Sequence, residues 1–373
     1  MGRLTNFEKL AKILVNYSCS IKKGDRVLIE QSYTDTDFLI ALIREIKKAG
    51  GLPFVINIIP EIARELLLDM SEEYAKLKTE FMLPDMKEMD AYIQLDGANN
   101  IFETSDVPTQ FLNINNLYYL KPVHFDQRVN HTNWVILRWP TPAFAQTANM
   151  SSSAFEELFF KVCTLDYGKM SDAMEPLVQL MNKTDKVRIK GQGTDISFSI
   201  KKIPAVKCAG KNNIPDGEIF TAPIKKSVNG TISYNIPTIY NGTRFDNVKL
   251  TVKDGKIINA LAGAQTAKLN QILDLDEGSR YFGEFAFGVN PHLKTPLLDI
   301  LFDEKICGSI HLTPGQCYKE APNGNVSGIH WDMVLCQLKE YGGGEIYFDD
   351  KLIRKDGKFV IKELFQLNPE NLV

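Results

Sequence analysis

The pattern of apolar residues changes near residue 185, and this change limits the folds that the chain can adopt. Before that point, short apolar runs such as 26–30 alternate with segments such as Asp37–Lys48, whose apolar residues recur at helical spacing. This alternation predicts an α/β domain with a mainly parallel sheet. Further on, the predicted strands are shorter and closer together, and Asp254-Gly255 is a hairpin signal. We therefore predict an α/β domain over residues 1–185 and a mixed α+β, strand-rich domain over 186–373.

Charge and apolar content argue against two classes of partner. The 373 residues carry a net charge of −3 without a long block of one sign, so we expect no nucleic-acid partner. No apolar stretch approaches the ~18 residues of a membrane span, and the first eight residues lack the apolar core of a secretion signal. The six cysteines form no C-x-x-C pair, which is typical of reduced thiols. The sequence predicts a cytoplasmic protein without a membrane partner.

Two of the five histidines lie in patterns that suit a metal ion. His330 and Asp332 stand two residues apart in a predicted strand, so their side chains would share a face and could bind a divalent cation. A solvated polar face is the alternative. His311 lies in a short apolar strand, and a turn after it could bring back Tyr318, whose phenol could ligate a metal or donate to an oxyanion. Here the alternative is a packed histidine and a packed tyrosine.

Two glutamates stand in apolar surroundings. Glu218 follows a Pro-Asp-Gly turn, and Glu284 interrupts an apolar run between Gly283 and Gly288. Burial of an unpaired carboxylate is costly, so Glu284 either faces water or holds a cation. Asp216 in the turn could orient a ligand, although a turn aspartate is the simpler interpretation.

Taken together, these residues offer more ligands than one metal needs. A single catalytic zinc ion takes three protein ligands, whereas six candidates suit two cations about 3.5–4 Å apart with a water between them. We expect the strand-rich domain to carry this metal site. The six candidates are Glu218, Glu284, His311, Tyr318, His330 and Asp332.

The ordered set of six resembles the thermophilic-aminopeptidase family of metallopeptidases. The resemblance extends nearly end to end and includes Ile214–Pro223, Ser227–Ile232 and the stretch from Asn133-Trp134 to Ala145-Gln146. It implies that the six residues are the metal ligands, and that the chain releases N-terminal residues from peptides with a free N-terminus. It also implies two divalent ions, zinc or cobalt with magnesium or manganese possible, and a homodimer whose active sites face an internal cavity.

The same resemblance suggests a mechanism in which the metal pair activates a hydroxide. Tyr318 would help to polarise the scissile carbonyl, Glu218 or Glu284 would bridge the metals, and another carboxylate would carry the proton to the leaving amine. The sequence does not assign the bridging role and the proton-carrying role to particular carboxylates.

Two other functions stay open at this point. A mononuclear non-haem iron enzyme would use His311, His330 and Asp332, and would leave the other three candidates without a role. A non-catalytic peptide-binding protein of the same fold would not need the complete set. The sequence has neither a Walker-type phosphate loop nor a G-x-S-x-G nucleophile elbow.

Overall fold

The computed structural model describes residues 2–240 and 242–373, and the chain forms two compact units. The first unit comprises the residues up to Thr164 together with Gly210–Pro215, and the second comprises Leu165–Ala209 and Asp216–Val373. The helix Tyr167–Lys183 thus belongs to the second unit, although it precedes the predicted boundary at residue 185. The division into domains 1–185 and 186–373 stays a prediction.

The first unit alternates helices and strands. Its strands are β1 (Arg26–Ser32), β2 (Leu52–Asn57), β3 (Ala91–Asp96), β4 (Asn133–Arg138) and the short β8 (Asn213–Ile214). Its α-helices are α1 (Gly2–Lys12), α2 (Thr36–Lys48), α3 (Pro60–Leu67), α4 (Glu72–Lys87), α5 (Thr109–Asn115), α6 (Val129–His131), α7 (Pro142–Thr147) and α8 (Ser152–Cys163). Ile13–Ser18 and Asn116–Arg128 are π-helical.

These strands form one parallel sheet in the order β2-β1-β3-β4-β8, which confirms the predicted α/β architecture. Helix α2 begins where the Asp35 side chain accepts the backbone N–H of Asp37, a favourable N-cap. One part of the core is an aromatic cluster from α1, α2, α8 and the residue after β4, with ring centroids 4.6–5.9 Å apart: Phe7, Phe38, Trp139, Phe159 and Phe160.

The second unit is rich in strands, also as predicted. Its strands are β5 (Lys186–Gly191), β6 (Thr194–Ser199), β7 (Val206–Cys208), β9 (Glu218–Thr221), β10 (Asn229–Ser233), β11 (Thr238–Tyr240), β12 (Thr243–Phe245), β13 (Lys249–Lys253), β14 (Lys256–Leu261), β15 (Phe282–Gly288), β16 (Ser309–Pro314), β17 (Val334–Cys336), β18 (Gly344–Phe348), β19 (Lys351–Lys355) and β20 (Lys358–Phe359). Its α-helices are α9 (Tyr167–Lys183), α10 (Thr266–Leu273), α11 (Ile300–Asp303) and α12 (Pro369–Leu372).

Two antiparallel sheets build the core of the second unit. An eight-stranded sheet has the order β14-β13-β10-β6-β5-β18-β19-β20, and a five-stranded sheet has the order β17-β16-β15-β9-β7. Phe285 and Phe287 on β15 contact Phe198 on β6 and Phe348 on β18, with ring centroids 5.0 and 6.0 Å apart. One face of the five-stranded sheet therefore packs on the larger sheet, and its other face is left for different side chains.

No helix among residues 2–240 and 242–373 has the length and apolar content needed to cross a membrane.

Candidate metal centre

The candidate ligands gather on the face of the five-stranded sheet that points away from the phenylalanine core. Ala286 on β15 pairs with His311 on β16 and with Phe220 on β9. Directly paired residues of antiparallel strands share a face, and residues two apart along a strand do so too. This rule places Glu284, His311 and Glu218 on one face, whereas Phe285 and Phe287 point to the other.

A tight backbone approach fixes the position of Glu284. The ladder between β15 and β16 shifts register between Phe282 and Glu284, at Gly283. A Cβ atom at Gly283 would overlap the carbonyl oxygens of Gly315 and Gln316, so only glycine fits there. The glycine beside Glu284 therefore lets the chain after β16 run close to the carboxylate.

Glu284 lies between two histidines and is 2% exposed. Its Oε1 is 3.2 Å from His311 Nε2, and its Oε2 is 3.1 Å from His330 Nε2. His311 Nε2 is also 3.4 Å from Glu218 Oε2, and His330 Nε2 is 3.3 Å from Asp332 Oδ1. Five of the six predicted ligands thus form one chain of contacts of 3.1–3.4 Å.

The residues around this chain orient its members. His330 Nδ1 lies 2.7 Å from the Gln316 carbonyl oxygen, to which it can donate, and Thr313 Oγ1 donates to Asp332 Oδ1 at 2.6 Å. A hydrogen bond from Nδ1 leaves Nε2 of a neutral imidazole free to bind a metal. His330 is therefore held in the tautomer and the orientation that a metal ligand needs.

The turn before Glu218 is fixed by hydrogen bonds of Asp216. The Asp216 carboxylate accepts the Gly217 N–H at 2.9 Å, and its carbonyl oxygen accepts from Asn290 Nδ2 at 2.9 Å. Gly217 has φ 133°, a conformation that glycine adopts without strain. Asp216 thus holds the backbone that presents Glu218.

The prediction of a strand over residues 327–335 is wrong except at its last two residues, which belong to β17. Residues 327–333, all of which the structure describes, form no strand, and His330 makes only an isolated bridge to Gly315 before β17 begins at Val334. His330 and Asp332 nevertheless lie together, because His330 contacts Glu284 and Asp332 accepts from Thr313, which is paired with Glu284 on the same face of the sheet.

The sixth predicted ligand, Tyr318, lies at the edge of this group. Its ring centroid is 4.7 Å from that of His330 and 5.4 Å from that of Phe220, and the residue is 46% exposed. Burial of its phenol group, together with the charges of Glu284 and Asp332, raises the pKa of Tyr318. Without a cation beside it, Tyr318 is therefore a phenol and can donate a hydrogen bond.

Two residues that the sequence did not single out also enter the centre. Glu304, directly after α11, offers a carboxylate oxygen within 4.8 Å of ligand atoms of Glu218 and His311. The buried Lys305 Nζ lies 3.1 Å from Glu218 Oε1 and contacts Glu304. In the sequence both belong to the charged run Asp303-Glu304-Lys305, which carries no signal that separates it from a solvated turn.

The pKa shifts follow from this excess of carboxylates. Burial disfavours the charged form of His311, but Glu284 outweighs it and raises the pKa of His311 to about 9. In the same way, Asp332 and Glu284 overcome burial and raise the pKa of His330 to about 12. Burial raises the pKa of Glu304 to about 8. In the metal-free protein, protons therefore supply part of the positive charge that the carboxylates require.

Two buried atoms that face the carboxylates suit a cation. Glu218 Oε2 and His330 Nε2 have no aligned hydrogen-bond partner among the described residues. Unpaired buried polar atoms are costly, and oxygen and imidazole ligands together suit divalent metals such as zinc. Two groups meet the spacing of a metal site, and they share His311: Glu218, Glu304 and His311, and Glu284, His311 and Asp332. The residues present thus fit a divalent metal.

A comparison with protein families agrees with this geometry. The family described as thermophilic metalloprotease (M29) matches residues 4–359. The chain belongs to this family. The resemblance drawn from the sequence is confirmed, and this M29 protein is a metal-dependent peptidase.

Curated relatives of the M29 protein carry aminopeptidase names. Aminopeptidase T of Thermus thermophilus is 26% identical over 359 residues, which cover 87% of each chain. Aminopeptidase 2 of Geobacillus stearothermophilus is 28% identical over 269 residues, and this match spans 60% of the present chain and 62% of the relative.

Solved structures confirm the fold. Wild-type AmpT from Thermus thermophilus superposes with a TM-score of 0.78 at 21% identity, over 96% of this chain and 99% of that one. The 2,5-dihydroxypyridine dioxygenase of Pseudomonas putida KT2440 superposes with a TM-score of 0.60 at 14% identity, over 97% and 98%. At these identities the likeness concerns the fold alone.

Proposed function

We propose that this M29 peptidase is an aminopeptidase that binds two divalent cations through Glu218, Glu284, His311, Tyr318, His330 and Asp332. The observation that carries the proposal is the position of Glu284, buried between Nε2 of His311 and Nε2 of His330 at 3.2 and 3.1 Å. The aminopeptidase names of the curated relatives support the exopeptidase activity.

The number of cations is supported by the two ligand groups that share His311. One group adds Glu218 and Glu304, and the other adds Glu284 and Asp332. One imidazole nitrogen binds one cation, so His311 would ligate one of two neighbouring cations, and the carboxylates of the two groups would complete the pair. We therefore add Glu304 to the predicted set as a further ligand. A site of imidazole and carboxylate groups favours zinc or cobalt, although magnesium or manganese also bind carboxylates.

The proposed chemistry divides between the cations and the chain. When bound, a pair of divalent cations polarises the scissile carbonyl and lowers the pKa of a water molecule enough to make a nucleophile at neutral pH. The phenol of Tyr318 donates to the oxygen on which negative charge develops. Glu218 and Glu284 hold the cations, and a carboxylate of the centre binds the free α-amine of the substrate, which restricts cleavage to the first residue.

Location and assembly are part of the proposal. Six free cysteines fit a reducing compartment such as the cytoplasm. A homodimer is supported by apolar surface on the first unit, where the edge strand β2 exposes Leu52, Phe54 and Val55 and where α3 has no buried residue. Exposed apolar patches of this kind mark interaction sites.

Hydrolysis of leucine p-nitroanilide by the full chain tests the activity. The protein is stripped with a chelator, and zinc or cobalt is then added back while the bound metal is counted. We expect activity to be lost and then restored at two ions per chain. N-acetyl-leucine p-nitroanilide, which lacks the free amine, should not be cleaved. Equal rates on both substrates, or activity in the chelator, would refute the aminopeptidase proposal.

A mononuclear iron enzyme is the second candidate, because two histidines and one carboxylate of the centre would suffice for a single iron. Its three ligands would be His311, His330 and Asp332. The structure favours the first candidate, since the carboxylates of Glu284 and Glu218 also contact these histidines. The metal count separates the two: one tightly bound iron per chain, with no peptidase activity on adding zinc, would support the oxygenase. Two bound ions without any hydrolysis would support a non-catalytic peptide-binding protein.

A further inference from the structure

The first unit contains a cavity of about 310 Å³ between one face of its sheet and the helices above it. Helix α4 and the π-helical segment Asn116–Arg128 contribute one wall, and strands β1, β2 and β3 contribute the other. Since a water molecule occupies about 30 Å³ in the liquid, the cavity has room for a ligand of roughly ten non-hydrogen atoms. All of its lining residues belong to the first unit.

Most of the wall is apolar and adaptable. In the sheet, Leu28 is directly paired with Phe54 on β2 and with Tyr92 on β3, so these three side chains form one row on the same face. Met82 and Met86 from α4 lie over this row. Methionine side chains fill irregular spaces and adjust to different partners. This part of the cavity suits a branched or aromatic apolar group.

One end of the cavity is polar. Glu30 follows Leu28 by two residues on β1 and therefore lies on the same face of the sheet. Burial raises the pKa of Glu30, whereas the Tyr92 hydroxyl and the charges of Arg128 and Lys78 lower it. Glu30 thus offers an acceptor for a cationic or neutral donor, and Asp85 and His124 are the other titratable side chains in the mostly apolar lining besides its tyrosines.

Unpaired donors lie beside this acceptor. The buried Tyr92 hydroxyl interacts with Glu30 but makes no aligned hydrogen bond among the described residues, and Nε and Nη1 of Arg128 have no aligned partner there either. Arg128 is 7% exposed, and its guanidinium carbon is 4.8 Å from the centroid of the Tyr92 ring that lines the cavity. Buried donors without acceptors are costly. A ligand that brought an acceptor to this end would relieve that cost.

The required ligand has an apolar body and, at one end, a donor and an acceptor close together. We propose that this cavity binds a free α-amino acid with an apolar side chain. Its ammonium group pairs with Glu30, its carboxylate accepts from the Tyr92 hydroxyl, and its side chain contacts the row around Leu28. The positive charge of Arg128, stacked on the Tyr92 ring outside the lining, stabilises the carboxylate from behind that ring. A zwitterion adds no net charge to the buried cluster. Since the metal centre lies in the second unit, this site is independent of the proposed peptidase function.

Calorimetric titration of the chelated full chain with L-leucine tests the site while the metal centre is empty. We expect one leucine per chain. Two analogues each lack one charged group, 4-methylpentanoate the ammonium and 3-methylbutylamine the carboxylate, and both should bind at least about tenfold more weakly because each loses a charge-assisted hydrogen bond. Leucylglycine, whose carboxylate is displaced, should also be at least about tenfold weaker. No binding of leucine, or equal binding of any of the three analogues, would overturn the proposal.

Variants and methyl signals locate the binding. Met82→Trp should fill the cavity and abolish leucine binding, whereas Met150→Trp, at another half-buried methionine of the first unit, should leave binding unchanged. Glu30→Gln should weaken the binding of leucine by at least about tenfold, whereas the binding of 4-methylpentanoate, which has no ammonium group, should not weaken. If a variant fails to fold, methionine methyl NMR of the unmodified chain decides: leucine should shift the signals of Met82 and Met86, and unchanged signals would exclude the cavity.

Discussion

Each unit of this protein buries charged side chains, but the two clusters balance their charge in opposite ways. In the second unit, the carboxylates of Glu218, Glu284, Glu304 and Asp332 surround one lysine and two histidines. In the first unit, one carboxylate, Glu30, faces Arg128 and Lys78. The first arrangement attracts cations, and the second leaves donors without acceptors. The sign of the excess charge, rather than burial itself, decides what each cluster can bind.

The largest expected effect is at Glu284. Glu284→Gln keeps the shape of the side chain but removes the charge between His311 and His330. We expect peptidase activity to fall by at least about a thousandfold, because a metal pair supplies both the nucleophile and carbonyl polarisation. Activity and bound metal are measured together, with the exposed Glu363→Gln as the control. Loss of activity with both ions still bound would contradict the ligand assignment.

Lys305→Met tests the charge balance of the metal centre. In chelator, the variant leaves Glu218 and Glu304 without their buried cation, and we expect a loss of about 3–5 kcal/mol in the free energy of unfolding. Zinc should recover much of this loss, because it supplies the missing positive charge. Urea unfolding with and without zinc measures both, and the exposed Lys362→Met is the control. An equal loss in both conditions would show that Lys305 acts through packing alone.

The corresponding substitution in the first unit should reduce the free energy of unfolding by less than Lys305→Met does. Arg128→Met removes a charge that stabilises ionised Glu30, but this carboxylate can take up a proton instead, since burial already raises its pKa. We expect a loss of about 1–3 kcal/mol that zinc does not change. A loss as large as that of Lys305→Met would mean that the two clusters do not differ in the way described.

An effect of similar size to that of Arg128→Met depends on pH. Burial, with the charges of Arg128 and Lys78, lowers the pKa of His124 from 6.5 to about 4. Between these values the unfolded chain binds a proton that the folded chain does not, so stability falls as pH drops from 6.5 towards 4. The expected loss from this group at pH 5 is about 2 kcal/mol relative to pH 7.

His124→Gln should remove this part of the pH dependence, and His131→Gln, at an exposed histidine, should keep it. Urea midpoints at pH 7 and pH 5 give the comparison. A wild-type midpoint and a His124→Gln midpoint that shift equally between the two pH values would rule His124 out as the cause.

Much of the metal centre could be predicted from local sequence. Glu284 stands out because a charged residue interrupts the apolar run of β15, and Glu218 because a Pro-Asp-Gly turn precedes it. The structure brings five of the predicted ligands into contact and places Tyr318 beside His330. Their role as ligands stays a proposal until a bound metal is measured.

Glu304 and Lys305 could not be predicted. Their charged run resembles any solvated turn, and only the return of the chain from α11 into β16 carries them to Glu218. The strand expected around His330 failed for a related reason. The alternation of polar and apolar residues there reflects contacts with Gln316 and Glu284, not pairing in a sheet.

By itself, the sequence determined that an α/β region with a parallel sheet is followed by a strand-rich region, and it identified six candidate ligands. These features could be predicted because hydrophobic periodicity and turn residues act over a few neighbouring positions. Only the tertiary structure decided which charged side chains are buried together. It brings Lys305 and Glu304 to the metal centre, and it places Arg128 behind the Tyr92 ring at the cavity. Electrostatic interactions act through space between residues far apart in the chain, so their balance is fixed only when the chain has folded.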